Sequence, residues 1–372
     1  MAADDGATML ALRIAVLVAG AVVVAGTLGS AVRTVVVPRA IPSRLSRAVF
    51  LTMRRLFRIR AGPNRPYEAR DRVMALYAPV SLFVLLVTWY VLVIAGFTGI
   101  YWGLGERTVR ESLVLSGSSI TTLGFARPGD LTASVLSFSE AALGLVLLAL
   151  LITYLPSIYG VFSRREALVA SLEVRAGSPA TAVELLQRSW RVERLEGLRE
   201  LWSRWEDWFL DVSETHTSIP ALVFFRSPLP DHSWVISSSA ILDSASLLLA
   251  CVDRPFDPRA AFCIRAGYLA LRRVANFFHI PFNDDPRPDD PISILREEFD
   301  QAYDALAGQG LPLKEDRDQA WKDFRGWRVN YDRVVIALAG LTMAPPAPWV
   351  SDRSLRDWRP RAVFGRVRAR RR

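Results

Sequence analysis

Of the 372 residues only three are histidine and two are cysteine. His216, His232 and His279 are scattered, without a spacing such as H-E-x-x-H that would bring imidazoles together on a metal. Cys251 and Cys263 lie eleven residues apart in apolar surroundings, which suits reduced packing residues rather than a disulfide framework. No G-x-G-x-x-G follows a strand pattern and no G-x-x-x-x-G-K-S/T phosphate loop occurs, which argues against dinucleotide and nucleoside-triphosphate sites. Ser237-Ser238-Ser239 lacks the flanking glycines of a nucleophile elbow. No catalytic constellation, cofactor motif or internal repeat emerges, and the chain reads as a non-enzyme.

Charge is absent from three long stretches. Ile14–Val32, Val73–Tyr101 and Ala141–Ser163 contain no Asp, Glu, Lys or Arg. About 20 apolar residues are enough to cross the hydrocarbon core, so three transmembrane helices are expected, at roughly 10–37, 74–101 and 134–162. The start of the chain, Met1-Ala2-Ala3-Asp4-Asp5, is acidic where a secretory signal would be basic, and the first span is expected to be retained. The fold class is therefore an all-α membrane protein with a mainly helical domain outside the bilayer.

Arginines set the expected orientation. Arg39, Arg44, Arg47, Arg54, Arg55, Arg58, Arg60, Arg65, Arg70 and Arg72 lie between the first two spans, against Glu68 and Asp71. The positive-inside rule puts this segment in the cytoplasm, with the N-terminus and residues 102–133 outside. Arg164 and Arg165 follow the third span and put the rest of the chain inside. The expected parts are 1–38, an N-terminal span; 39–72, a basic interfacial segment; 73–163, a two-span module; 164–350, a helical cytoplasmic domain; and 351–372, a basic tail. A multi-pass protein of the plasma membrane is expected.

Within the outer segment, apolar Leu113, Val114, Leu115 and Ile120 precede Thr121-Thr122-Leu123-Gly124-Phe125-Ala126. An exposed loop has no need of such apolar residues. The alternative is a plain extracellular loop holding Thr-Thr-Leu-Gly by chance. Paired threonines followed by Leu-Gly-Phe between two spans resemble the T-T-V-G-Y-G-D selectivity filter of the tetrameric potassium-channel superfamily of pore-loop cation channels. The resemblance implies an outer helix in the second span, a re-entrant pore helix at 104–119, a filter at 121–126 and an inner helix in the third span. It implies a homotetramer conducting K⁺, with Thr121, Thr122, Leu123, Gly124 and Phe125 binding the ion through backbone carbonyls and a threonine hydroxyl. No metal site beyond the permeant cation is expected. The pattern departs at Ala126, which stands where the second filter glycine belongs, and Arg127-Pro128-Gly129 intervene before Asp130. Ala126, Arg127 and Asp130 are assigned to the outer mouth, together with Glu140 as a cation attractor near the outer end of the third span.

The third span also carries candidate bending points. Gly144 falls where related channels hinge. Pro156 removes a backbone hydrogen bond, and Gly160 follows it. Gly and Pro are frequent in membrane helices without any gating role, which is the competing reading.

Residues 43–60 read as an amphipathic helix, with Arg44, Arg47, Arg54, Arg55 and Arg58 on one face and Leu45, Val49, Phe50, Met53, Leu56 and Phe57 on the other, Leu51 and Arg60 being out of place. Such a helix suits the inner interface, facing anionic lipid, or else packs on the cytoplasmic domain. That domain shows Leu195, Leu198, Trp202, Trp205, Phe209 and Val212 at helical spacing, better suited to a core face than to a coiled coil. Further helices are expected near 234–252, 259–279, 291–307 and 317–341, with Met343–Pro348 ending the folded part. The net charge of +9 is concentrated in 39–72 and in Arg361, Arg366, Arg368, Arg370, Arg371 and Arg372. Anionic inner-leaflet lipid, not nucleic acid, is the expected partner, and the tail lacks the apolar density to fold. Two functions stay open: the cation channel, and a non-conducting membrane-anchored sensor or scaffold acting through residues 164–350.

Overall fold

The structure, a computed structural model, describes residues 2–37, 43–62, 64–105 and 107–353. They contain no strand, only an isolated bridge between Val252 and Leu313. The chain forms two compact units, Met1–Gly160 and Val161–Arg372.

The first unit opens with α1 (Ala2–Val35) and α2 (Arg44–Ala61). Next come α3 (Tyr67–Ala75), α4 (Tyr77–Gly103), α5 (Val109–Ile120) and α6 (Leu131–Ala176), the last continuing into the second unit. The outer surfaces of α1, α4 and α6 carry Val18, Val22, Phe83, Val91, Leu145 and Ile152 exposed, a pattern suited to hydrocarbon rather than water. The helix α1 lies against α4 through glycine. A Cβ on Gly20 would stand 2.4 Å from the carbonyl oxygen of Gly96, so only small residues permit this approach. Below that contact Ser30 Oγ meets Ser43 Oγ at 2.6 Å and receives the Trp89 indole N–H at 3.2 Å, joining α1, the start of α2 and α4. Ser43 caps α2 by accepting from the Ser46 amide at 3.2 Å. Arg44, Arg55 and Arg58 of α2 are exposed and Arg47 and Arg54 half-buried, while Leu56 is also exposed, so the two faces are less cleanly divided than the sequence suggests.

The second unit contains α7 (Ala182–Glu193), α8 (Leu198–Ser218), a 3-10 turn at Pro220–Phe224, α9 (Trp234–Cys251) and α10 (Pro258–Phe277). It closes with α11 (Arg296–Ala307), α12 (Arg317–Arg328) and α13 (Asp332–Thr342). The central helix is α9, packed by α7, α10, α12 and α13. By length and apolarity α9 could cross a membrane, as α1, α3–α4 and α6 could. Every residue of it except Leu249 is buried within the unit, however, so it is a core helix and three candidate spans remain among the described residues. The helix α8 buries Trp202, Trp205, Phe209 and Val212 in the same core. Both cysteines are buried and free.

Arg328 is wholly buried on the core side of α12. It pairs with Asp243 of α9, donates to Asp332 Oδ1 at 2.9 Å and reaches the Trp349 carbonyl at 2.7 Å. Tyr331 and Ser239 hydroxyls complete the shell around Asp243, each at 2.9 Å. Burial works against the guanidinium charge, but Asp243 and Asp332 outweigh it and raise the Arg328 pKa. The single helix expected over 317–341 is divided at Val329–Tyr331. The folded part also runs past Pro348, since Ala347 and Val350 are buried and Arg353 pairs with Glu298. Residues 354–372, with the basic tail, lie outside the described residues.

Candidate functional site

The helix α5 is short because its ends are fixed locally. Thr108 accepts from the Glu111 amide at 3.3 Å while Glu111 Oε2 accepts from the Thr108 amide at 2.8 Å, a reciprocal capping box. The helix thus starts at Val109, five residues later than the sequence suggests. Its inner face, with Ser112, Leu115, Ser116, Ser119 and Ile120, is buried.

At its other end the chain turns over Ser118. The amides of Leu123 and Gly124 both reach the Ser118 carbonyl, at 3.0 and 3.3 Å, and the Ala126 amide reaches Ser118 Oγ at 3.1 Å. Thr122 takes a left-handed conformation with φ of 59° and Gly124 one with φ of 69°. Glycine adopts this freely, whereas for β-branched Thr122 it costs about 1–2 kcal/mol. Thr121, Thr122, Leu123, Gly124 and Phe125 are all exposed. Among the described residues no donor reaches their carbonyl oxygens, nor is Thr122 Oγ1 hydrogen-bonded, whereas Thr121 Oγ1 donates back to the Gly117 carbonyl at 2.5 Å. Every amide of 121–126 except that of Phe125 is therefore engaged, while the carbonyls of Thr121 to Phe125 are free of donors among the described residues.

Ala126 is half-buried and Arg127 exposed. Asp130 accepts from the Ala133 amide at 2.6 Å and caps α6. A Cβ on Gly129 would stand 3.0 Å from Arg107 Nη2, so a second guanidinium lies against the loop that carries Arg127.

Glu140 is elsewhere. It is fully buried, bonded to Ser116 Oγ at 2.5 Å and to the Tyr101 hydroxyl at 3.1 Å. One carboxyl group thus joins α4, α5 and α6 from the side of α5 away from solvent. Assigned from the sequence to the outer mouth, it does not face it, because neutral hydroxyl donors in the interior satisfy it.

Gly144 is a point of contact. A Cβ there would stand 2.3 Å from the Ile120 carbonyl oxygen, and the Gly144 carbonyl accepts from the Tyr90 hydroxyl at 2.6 Å. The helix α6 continues unbroken through Gly144, Pro156 and Gly160. Nothing approaches Gly160 within 4 Å.

The exposed surface of α6 divides in two. Phe138, Leu145, Leu148, Ile152, Leu155 and Tyr159 form a bulky apolar strip. Beside it, at steps of three and four residues, run Val135, Ser139, Ala142, Val146, Ala149, Thr153 and Ser157, all exposed and mostly small or hydroxylated. The hydroxyls of Ser139, Thr153 and Ser157 donate to carbonyls one turn back, at 2.8, 2.9 and 3.0 Å, which leaves their lone pairs outward. Sequence reading missed this strip and the Glu140 partners. A lone carboxyl in an otherwise apolar run was the available signal for the second.

In the second unit His216 is buried, with Arg165 Nη1 donating to its Nε2 at 3.1 Å. Burial, with the Arg165 charge beside it, holds His216 well below the usual imidazole range. No group of three metal-ligating side chains occurs among the described residues. No family model matches the chain, and no curated protein or solved structure matches it.

Proposed function

We propose that the chain is one subunit of a homotetrameric pore-loop cation channel, with K⁺ as its expected ion. Thr121 to Phe125 would form the ion-binding strand and α6 the inner helix. The observation that carries this reading is the asymmetry of 121–126: Ser118 holds the Leu123, Gly124 and Ala126 amides, while the carbonyls of the exposed residues Thr121 to Phe125 receive no donor among the described residues. Free carbonyls at the end of a short helix between two spans are what a dehydrated cation needs. The small and hydroxylated strip on α6 supports the same reading, since it suits a wet cavity as the bulky strip suits lipid or a neighbouring helix. One chain supplies one strand, so the ion path requires closed cyclic assembly. The arginine bias of 39–72 supports a cytoplasmic second unit and a plasma-membrane location, with anionic lipid on the inner face.

A second reading is favoured by Arg127 and Arg107, whose charges at the outer loop oppose cation entry. In it the chain is a non-conducting membrane-anchored sensor or scaffold acting through its second unit. Flux of K⁺ and Na⁺ in liposomes, paired with native mass measurement in detergent, separates the two. The channel reading expects a four-chain particle and K⁺ flux. Monomers or dimers without flux would remove it.

A further inference from the structure

The second unit holds a cavity of about 640 Å³ between the segment after α10, the segment before α11 and the outer side of α13. Ligand cavities span about 300–1,000 Å³ and combine apolar walls with a few polar groups. Here Ile280, Pro281, Ile292 and Ile336 form the wall. The polar groups are Ser293, Asp332, Arg333 and Arg353.

Asp332 and Arg353 are already paired within the protein. Asp332 is already satisfied, accepting from Ser293 Oγ at 2.7 Å, from the Ser293 amide at 2.9 Å and from Arg328 Nε at 2.9 Å. Arg353 donates through Nε to the Ser293 carbonyl at 3.1 Å and pairs through Nη2 with Glu298. Its Nη1 is buried without a hydrogen-bond acceptor, the Asp352 carboxylate standing 3.5 Å away. Arg333 is exposed and makes no hydrogen bond or ion pair among the described residues. Arg333 is thus left as the lining guanidinium without a carboxylate partner, beside an apolar wall. A planar guanidinium fork matches a carboxylate in two parallel hydrogen bonds. A phosphate monoester, with close to two negative charges, would bring more charge than one guanidinium neutralises.

We propose that this cavity binds a small amphipathic monoanion, an apolar body carrying one carboxylate, with Arg333 as its counter-ion and the apolar wall around Ile336 as its seat. The site lies wholly in the second unit and does not depend on whether the chain conducts.

Titration calorimetry on the full-length protein in non-ionic detergent tests this with phenylbutyrate as the probe, against phenylbutanol and phenyl phosphate. Phenylbutyrate is expected to saturate one site per chain and to bind at least about tenfold more tightly than phenylbutanol, the difference that one charge-assisted contact supports. Arg333→Glu should lose that advantage and Arg333→Lys keep most of it. Because Arg333 is exposed, neither change threatens the fold, and circular dichroism checks this. Ile336→Trp, which fills the cavity, should remove binding while leaving Arg333 in place. Equal binding of phenylbutanol, an unchanged affinity in Arg333→Glu, or tighter binding of phenyl phosphate would each overturn the assignment.

Discussion

The α-carbon of Gly144 is so close to the Ile120 carbonyl that a methyl group there would stand 2.3 Å from the oxygen. The neighbour is backbone at the end of α5 and cannot rotate away. Gly144→Ala is therefore expected to destabilise the protein by about 1–3 kcal/mol, the range for forced overpacking. Gly160→Ala, with nothing within 4 Å, should leave the melting temperature unchanged or slightly raised. Thermal unfolding in detergent compares them. Equal effects would favour a hinge at Gly144 over a packing contact.

Glu140 is held by two hydroxyl donors, Ser116 and Tyr101. Glu140→Gln retains an acceptor oxygen and should unfold close to the native temperature. Glu140→Ala strands the Tyr101 hydroxyl in the interior, at about 1–3 kcal/mol for a buried group left unsatisfied, while Ser116 Oγ keeps the Ile94 carbonyl at 3.2 Å. Denaturation of the two variants under one condition reads the difference. If they are alike, the carboxyl group does not organise this site.

For the ion path, Gly124→Val is expected to abolish flux, because a branched residue resists a φ of 69°. Thr122→Val should alter ion preference while keeping the fold, since it removes only a hydroxyl. Thr122→Gly should instead raise stability by about 1 kcal/mol by relieving the left-handed backbone. Flux assays and thermal melts on the three variants check these outcomes. Unchanged flux in both valine variants would mean that residues 121–126 are not an ion path.

His216 makes stability depend on pH in a known direction. Its pKa is depressed in the folded state, so below about 6.5 the unfolded chain takes up a proton that the native ring refuses. Its contribution is present above that pH and falls as the solution is acidified towards the native pKa. His216→Gln should flatten the slope of unfolding free energy against pH between about 6.5 and 5. A slope unchanged by the substitution would assign the acid sensitivity to other groups.

Much of this fold is legible in the sequence because bilayer thickness imposes a length on uncharged runs. The α2 helix, α9 and α10 fall close to their expected ranges, whereas α1 starts eight residues earlier, α6 runs on to Ala176 past the expected end at 162, and α11 starts five residues later than expected. The break at Val329–Tyr331 was hidden because apolar periodicity continues across it, while buried Tyr331 turns inward to Asp243. The late start of α5 was readable: Thr108-Val109-Arg110-Glu111 is a capping-box pattern. The contacts of Gly20 with Gly96, of Gly144 with Ile120 and of Glu140 with Ser116 join residues far apart in the chain. Composition says that such glycines and carboxyls are unusual in a span; only packing says what they meet. The six residues 121–126 were singled out by type, but the engagement of the Leu123, Gly124 and Ala126 amides by Ser118 is a property of the turn.

The helix α9 is apolar enough to be mistaken for a membrane span, and the insertion machinery would meet it as a nascent segment before α10, α12 and α13 are made. Asp243 lies at the middle of its Trp234–Cys251 stretch, where an aspartate opposes bilayer entry by about 2.5–3.5 kcal/mol. The carboxylate that pairs with Arg328 in the finished domain is thus expected to act earlier as a topological veto. Asp243→Leu should divert part of the nascent chain into the bilayer, read by glycosylation acceptors placed after Cys251. Once α12 supplies Arg328, the same charge that kept the segment in water becomes the group around which the core closes.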